Sequence, residues 1–265
     1  MEKKDKVIII IPARFKSSRF PGKPIALLQG RPSIQWTYEA ALKVRGVDGF
    51  YVATDDDRIR EAAEQVGAEV IMTSENLGNG TERVAEAAKI LGLQDSDIVV
   101  NFQGDAPLTP SWFVEAILEE MQSNMQADMV TPVLRCGKAS YERLINERKQ
   151  GRVGATTAVF DSNNKALYFS KEVIPYLERS SLLDETPVYH HVGVYGYRMR
   201  ALKEYIRWPH GLLEKAEKLE QLRFLEASKD VFVVEVDSRG REFWELNNPE
   251  DIKVLEAMME RNKKT

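Results

Sequence analysis

Apolar residues recur along this chain in two rhythms. Short β-branched runs at Val7–Ile11, Phe50–Ala53, Glu69–Met72, Ile98–Phe102 and Met129–Val133 predict strands. Between them, Ser33–Val44, Asp57–Val66, Thr81–Leu91 and Ser111–Ser123 carry apolar positions at three- and four-residue spacing, which predicts helices. Ser111, following Pro110, is placed to cap the last of these. Such alternation predicts an α/β fold, a mostly parallel central sheet flanked by helices. Ligands of such sheets bind beyond the carboxyl ends of the strands, so chemistry is sought just after each strand.

The second half breaks the rhythm. Thr157–Phe160, Val192–Tyr195 and Val231–Val236 predict strands separated by irregular stretches, and Gly211 to Ala227 predicts one helix. We expect a small lobe inserted on the same sheet. Its boundary is the polar, basic stretch Cys136–Gly154, and Leu177–Pro187 is expected to be a mobile loop. A last helix opens at Pro249 and runs to Arg261.

Composition narrows the function. The 265 residues suit one large domain or two small ones, and 43% hydrophobic with 29% charged residues is globular rather than disordered. Thirty-seven Lys and Arg against 41 Asp and Glu leave no bulk positive field for a nucleic-acid backbone, so no nucleic-acid partner is expected. The single cysteine, Cys136, excludes a disulfide within the chain and a thiolate metal cluster, which points to the cytoplasm. The apolar run after the charged start is only Val7 to Ile11, too short for a signal peptide, and no stretch approaches a membrane span.

The first strand runs into Arg14, Lys16, Ser17, Ser18, Arg19, Gly22 and Lys23. Cations and hydroxyls crowded at a strand end can surround a polyphosphate with charge-assisted donors, although a solvated basic loop has the same composition. The spacing matches neither a P-loop nor a dinucleotide fingerprint, which argues against an ATPase or a dehydrogenase. The fourth strand ends in Gln103-Gly104-Asp105, a carboxylate suited to Mg²⁺ shared with substrate phosphates; the plainer alternative is a turn residue before Pro107. Gly78-Asn79-Gly80-Thr81 precedes a helix and leaves backbone N–H groups open to a ligand. Asp55, Asp56 and Asp57 are read as a strand end and helix start placed against the helix dipole. Glu214, Glu217 and Glu220, on one helix, are read as a solvated face, from which only Glu220 is moved to the substrate side.

Taken in order, these blocks resemble a known family. Ile10-Ile11-Pro12-Ala13-Arg14 with Ser18-Arg19-Phe20-Pro21-Gly22-Lys23-Pro24, then Val52-Ala53-Thr54-Asp55, Gly80-Thr81-Glu82-Arg83 and Val100-Asn101-Phe102-Gln103-Gly104-Asp105 are followed by three more. These are Ala166-Leu167-Tyr168-Phe169-Ser170, His191-Val192-Gly193-Val194-Tyr195-Gly196-Tyr197-Arg198, and Leu213-Glu214 with Leu219-Glu220-Gln221-Leu222-Arg223. Over residues 6–258 the chain resembles the CMP-Kdo synthetases, the 3-deoxy-manno-octulosonate cytidylyltransferases.

The resemblance implies a Rossmann-like nucleotidyltransferase fold, a cytoplasmic homodimer, and transfer of CMP from CTP to Kdo, a 2-keto-3-deoxy sugar acid of the lipopolysaccharide pathway, with Mg²⁺. It implies a single domain over 1–265: a CTP-binding half to 135, an acceptor-binding and dimerisation lobe over 136–230, and a closing strand and helix over 231–265. By motif match, Arg14, Ser18, Arg19 and Lys23 hold the triphosphate, with Pro12, Ala13, Asn79, Gly80, Thr81, Arg83 and Gln103 beside the nucleotide. Gln103, Lys171, His190, His191, Tyr195, Glu220 and Gln221 line the acid pocket. Asp105 and Asn247 take the metal positions, and Arg14, Lys23 and Asp105 are the catalytic set. Phosphoryl transfer needs positioning and charge stabilisation rather than a protein nucleophile, which suits a chain with one Cys and three His.

The chain departs from the family pattern near the acceptor. Where the family has Gly-Val-Asp-Thr-Pro-Glu-Asp, this chain has Glu245-Leu246-Asn247-Asn248-Pro249-Glu250-Asp251, so a neutral amide stands in place of a carboxylate metal ligand. Asn79, Lys171 and His190 replace Ser, Arg and Arg, and Lys cannot reproduce the planar grip of Arg on a carboxylate. Kdo is the first expectation for the acceptor; 8-amino-Kdo, another ulosonic acid or a small phosphonate are alternatives, as is a weakly active CTP-binding regulatory protein. Uridylyl or guanylyl transfer is disfavoured because the loop lacks Gly-x-Gly-x-x-Arg.

Overall fold

Every residue of the first strand, β1 (Val7–Ala13), is buried, as an unbroken apolar run requires when both faces of a strand are covered. In the computed structural model, which describes residues 5–17, 19–153, 155–178, 185–241 and 244–262, β1 lies inside a ten-stranded sheet. After it come a two-stranded hairpin, β2 (Leu27–Leu28) and β3 (Arg31–Pro32), then α1 (Ser33–Ala41), β4 (Gly49–Thr54), α2 (Asp57–Glu64), β5 (Glu69–Met72), α3 (Gly80–Ile90), β6 (Ile98–Phe102) and α4 (Ser111–Ser123). β1 pairs in parallel with β4 and with β6, and β4 in parallel with β5. Alternate residues of β1 feed opposite faces. Ile8 and Ile10 meet α3, whereas Val7, Ile9 and Ile11 join the layer formed by α1, α2 and α4.

The chain continues through β7 (Met129–Gly137), α5 (Lys138–Lys149), β8 (Thr156–Phe160), β9 (Ala166–Ser170), β10 (Glu185–His191), β11 (Val194–Arg198), α6 (Met199–Tyr205), α7 (Leu212–Glu217), α8 (Leu222–Glu226), β12 (Val231–Glu235) and α9 (Asp251–Asn262). β11 is antiparallel to both β6 and β7, β10 is antiparallel to β7 and β8, and β8 to β9, while β12 runs parallel to β7. Thus β5, β4, β1, β6, β7, β12 and β8 point one way, and β11, β10 and β9 the other. Strands β8 to β11 of the second half extend the sheet with antiparallel pairings.

Four local readings are corrected. The boundary Cys136–Gly154 is mostly helix α5, anchored by Tyr141 and Leu144. β10 begins inside the stretch read as a mobile loop, and residues 179–184 of that stretch lie outside the described residues. The strand expected at Val192 starts two residues later, because Val194 N–H turns back to the Val192 carbonyl at 2.8 Å. The single helix expected from Gly211 is two short ones, parted at Lys218, whose φ is 54°. Among the described residues no helix is long and apolar enough to cross a membrane.

Candidate active site

The loop after β1 is shaped before any ligand arrives. Gly22 adopts a left-handed φ of 73°, and its N–H donates to the Phe15 carbonyl at 2.9 Å, so the chain returns on itself. Arg58 lies 3.4 Å over the Phe15 ring. Lys23 then opens a 3₁₀ turn whose first carbonyl accepts the Ser33 hydroxyl at 2.8 Å. This aims the Lys23 ammonium at the Asp105 carboxylate beyond β6, and the two form a largely buried ion pair. Asp105 itself is fixed through Gly104. A Cβ there would lie 2.6 Å from the Pro12 carbonyl oxygen, and the Gly104 carbonyl accepts the Thr37 hydroxyl at 3.1 Å. Arg14 donates to the Gly78 carbonyl at 3.2 Å, and Ser18 lies outside the described residues.

Beside this loop is the N-terminus of α3. Asn79 caps it, accepting the Glu82 N–H at 2.8 Å and donating through Nδ2 to the Tyr205 hydroxyl at 2.9 Å. Thr81 N–H donates to Glu220 Oε2 at 3.0 Å, and Gln103 Nε2 donates to the other oxygen at 3.1 Å. Gly80 permits this: a Cβ there would sit 3.3 Å from Gln103 Nε2. Burial pushes the Glu220 carboxyl above its ordinary range. Arg83 is buried against Asp55 at 3.3 Å and donates to the Ser74 carbonyl, which ties the ends of β4 and β5 to α3. Asp56 caps α2, so the acidic run is used as a helix start.

Arg19 of the loop, and Gln103, which Glu220 links to the start of α3, border a cavity of 680 Å³. Arg19, Gln103, Asp105 and Asn247 reach it from one side, and Lys171, His190, His191, Tyr195 and Gln221 from the other. Pro12, Ala13, Arg14, Lys23, Asn79, Gly80, Thr81 and Arg83 stay outside it, around the adjoining strand ends, and Glu220 reaches it through Gln103. Both nitrogens of His191 are engaged: Nε2 with the Thr131 hydroxyl and Nδ1 with the Thr156 hydroxyl, each at 3.0 Å. Burial pushes its pKa down to about 3, and burial with the nearby Arg143 and Arg148 lowers His190 to about 4. Both imidazoles are neutral at neutral pH. The buried Nε2 of Gln221 has no hydrogen-bond partner, while its oxygen faces the Tyr195 hydroxyl at 3.5 Å. A buried donor left unpaired is costly, and an acceptor atom on a ligand would satisfy it.

Burial, then the Lys218 and Arg19 charges, lower the pKa of Lys171, and all three cations line the cavity. Glu217 is no solvated residue: it accepts the Ser170 hydroxyl at 2.6 Å and the Lys171 N–H at 2.9 Å. Glu214 is buried too, bonded to Arg223 at 2.7 Å. Glu245, which also lines the cavity, accepts from Asn247 Nδ2 at 3.2 Å. Burial and the Asp105 charge raise its pKa to about 7. Lys218 and Glu245 were not foreseen as cavity residues. The first sat on a presumed helix, and at the second the sequence registers only the loss of a glycine.

The donor set near Asp105 suits a hard divalent cation. The Asp105 carboxylate and the amide of Asn247, whose oxygen accepts from Arg19 at 3.0 Å, both border the cavity. Among the described residues no group of three or more His, Cys, Asp or Glu is placed to hold an ion, so Mg²⁺ here would complete its shell from nucleotide oxygens and water.

A parallel sheet that ends in a cationic loop and a carboxylate, opening onto a cavity with an unpaired donor and clustered cations, defines an α/β enzyme of the nucleotidyltransferase class. The cytidylyltransferase family model matches residues 8–231, and the chain belongs to this family. It is 40% identical over 253 residues to a 3-deoxy-manno-octulosonate cytidylyltransferase of Maricaulis maris, covering 96% of each chain. It is 41% identical over 254 residues to an 8-amino-3,8-dideoxy-manno-octulosonate cytidylyltransferase of Shewanella pealeana, covering 96% of this chain and 98% of that one. The fold superposes with a TM-score of 0.83 on a CMP:2-keto-3-deoxy-manno-octonic acid synthetase complexed with CTP, at 32% identity over 97% of this chain and all of the other. The resemblance drawn from the motif blocks therefore holds.

Proposed function

We propose that this enzyme transfers CMP from CTP to the anomeric hydroxyl of a sugar acid of the 3-deoxy-manno-octulosonate type, releasing pyrophosphate, with Mg²⁺ as its metal. One observation carries the reading: Arg19 and Asp105 of the phosphate side border the same cavity as Lys171, His191 and Gln221. The relatives named for octulosonate and for its 8-amino form support it, as does the related structure that holds CTP.

In this reading Arg14, Arg19 and Lys23, with Ser18, hold the triphosphate, while the strand ends and Asn79–Thr81 frame the nucleotide. The acceptor hydroxyl releases its proton to solvent and its oxygen bonds the α-phosphorus as the bond to pyrophosphate breaks, and the loop cations offset the charge on the leaving group. Mg²⁺, when bound, supplies further charge neutralisation at the phosphates, held by Asp105 and the Asn247 carbonyl. Lys171 and Lys218 attract the acid's carboxylate, and Gln103, Tyr195 and Gln221 orient it as neutral partners, with His191 held in the pocket wall by Thr131 and Thr156. No side-chain nucleophile takes part.

The test is pyrophosphate release from CTP and Mg²⁺ with 3-deoxy-manno-octulosonate, its 8-amino form, a sialic acid and a small phosphonate. Release with an octulosonate, and a CMP conjugate of matching mass, is expected. Release with the phosphonate alone, or CTP binding without release for either octulosonate, overturns the reading.

We also infer a homodimer working in the cytoplasm. Leu167, Tyr176 and Leu212 are exposed apolar side chains of the acceptor half that a second copy would cover, and the buried lone thiol of Cys136 suits a reducing compartment. Light scattering that returns the monomer mass would remove the dimer.

A further inference from the structure

Glu245 and Asp105 bring two carboxylates to one wall of the cavity. Their approach is built into the backbone. Leu246 N–H donates to the Asp105 carbonyl at 2.8 Å, which pins the segment carrying Glu245 and Asn247 against the end of β6. The side chains of residues 245 and 247 meet there, Asn247 Nδ2 donating to Glu245 Oε2 at 3.2 Å. The other oxygen, Oε1, lies 3.0 Å from where a Cβ of Gly193 would be, so the missing side chain in the connection between β10 and β11 makes room for it.

The nearby cations are bonded to other partners: Lys23 to Asp105, and Arg19 to Asn247 Oδ1 at 3.0 Å. Among the hydrogen bonds and ion pairs described, Glu245 meets only the neutral amide of Asn247, so its carboxylate keeps oxygen lone pairs available to a cation that enters the cavity. The unpartnered buried Nε2 of Gln221 borders the same cavity, an independent sign that a ligand enters it. We propose that Glu245 is the second protein carboxylate of the magnesium site, with Asn247 orienting it and lending a neutral oxygen. The glycine-to-glutamate and aspartate-to-asparagine departures at 245 and 247 then form one exchange, which moves the charge two residues along the same segment. Magnesium commonly takes one or two carboxylates and fills its octahedron from phosphates and water, so Asp105 with Glu245 is a complete protein contribution.

This inference rests on the magnesium reading above, and the experiment separates the two. Mn²⁺ is titrated into the full chain carrying stoichiometric CTP without acceptor, and free aquo-Mn²⁺ is read by electron paramagnetic resonance. Glu245→Gln keeps the shape and the acceptor for Asn247 while removing the charge. It is expected to weaken Mn²⁺ on the order of tenfold, as is Asp105→Asn, with CTP affinity in EDTA unchanged for Glu245→Gln. If Glu245→Gln binds Mn²⁺ like the parent while Asp105→Asn does not, the proposal falls and the metal at Asp105 stands. A parallel loss of metal-free CTP binding in Glu245→Gln also overturns it, since the side chain would then be shaping the pocket. Parent-like Mn²⁺ binding in both variants removes the magnesium reading with it.

Discussion

Glu220 joins the two halves of the enzyme at Gln103: one carboxylate oxygen accepts Gln103 Nε2 at 3.1 Å, the other the Thr81 N–H at 3.0 Å. The residue comes from the segment between α7 and α8, whereas its donors come from the end of β6 and the start of α3. The carboxylate therefore positions the amide that faces the cavity and covers an orphan N–H at a helix N-terminus. Glu220→Ala leaves both donors unpaired. We expect a loss of about 1–3 kcal/mol in urea unfolding, together with a raised KM for the acceptor. Parent-like stability would show that water replaces the carboxylate without cost.

The Lys23–Asp105 pair carries a second prediction. Removing the carboxylate by Asp105→Ala takes away the proposed metal ligand and leaves Lys23 unopposed. Turnover is expected to fall on the order of a hundredfold or more, with the Mg²⁺ dependence of the remainder flattened. Asn247→Asp adds a carboxylate beside the same cavity, and the Mg²⁺ concentration for half-maximal rate should drop. Unchanged metal dependence in both variants would displace the metal from this corner.

Much of the nucleotide half was legible because its elements are strongly periodic and locally consistent. The run Val7–Ile11 can bury itself only in the middle of a sheet, and Gln103-Gly104-Asp105 follows its strand directly. The acceptor half resisted for identifiable reasons. Gly211 to Ala227 keeps a helical pattern, yet the chain folds back at Lys218. Glu226 accepts the N–H groups of Leu213 and Glu214 at 2.9 and 3.0 Å, and Arg223 pairs with buried Glu214. Those tertiary bonds outweigh helix propensity, and no local signal announces them. α5 was hidden because only Tyr141 and Leu144 of its residues are buried, which leaves too narrow an apolar stripe to stand out from a basic linker. Glu245 was visible as a departure, but its meaning depends on Leu246 bonding to Asp105, a contact between residues far apart in sequence.

Gly104→Ala tests how firmly the Asp105 carboxylate is held. The added methyl meets the Pro12 carbonyl oxygen at 2.6 Å, a backbone atom in the central strand that cannot turn aside. We expect about 1–3 kcal/mol of destabilisation and a shifted Asp105, read as a lower urea midpoint and a raised Mg²⁺ requirement. A variant with the parent's midpoint and metal requirement would show that the strand end yields.

The two neutral imidazoles predict an acid limb in stability. His191 has a folded pKa of about 3 and His190 about 4, both below the ordinary 6.5, so the unfolded chain binds more protons throughout that window. Their contribution is full above pH 6.5 and is lost as pH falls toward the folded values. The slope is roughly 1.4 kcal/mol per pH unit for each imidazole within the window. Urea unfolding at stepped pH should show the limb, and His191→Gln should make it shallower. An unchanged slope in His191→Gln would mean that this imidazole is accessible to protons in the folded chain.

Lys171 predicts an alkaline limb in acceptor binding rather than in stability. Burial and the neighbouring cations Lys218 and Arg19 lower its pKa, so it surrenders its proton at a lower pH than an exposed lysine. An anionic acid binds the charged form, and its KM should therefore climb with pH before ordinary lysines titrate, while the KM for CTP stays level. Lys171→Met should raise the acceptor KM about tenfold at neutral pH, the worth of one charge-assisted hydrogen bond, and should flatten its rise with pH. Lys171→Arg should remove the limb as well, because a guanidinium keeps its charge across the range and offers a planar fork to the carboxylate. The comparison is decisive because a purely structural lysine would move both KM values together and leave the pH profile of the arginine variant unchanged.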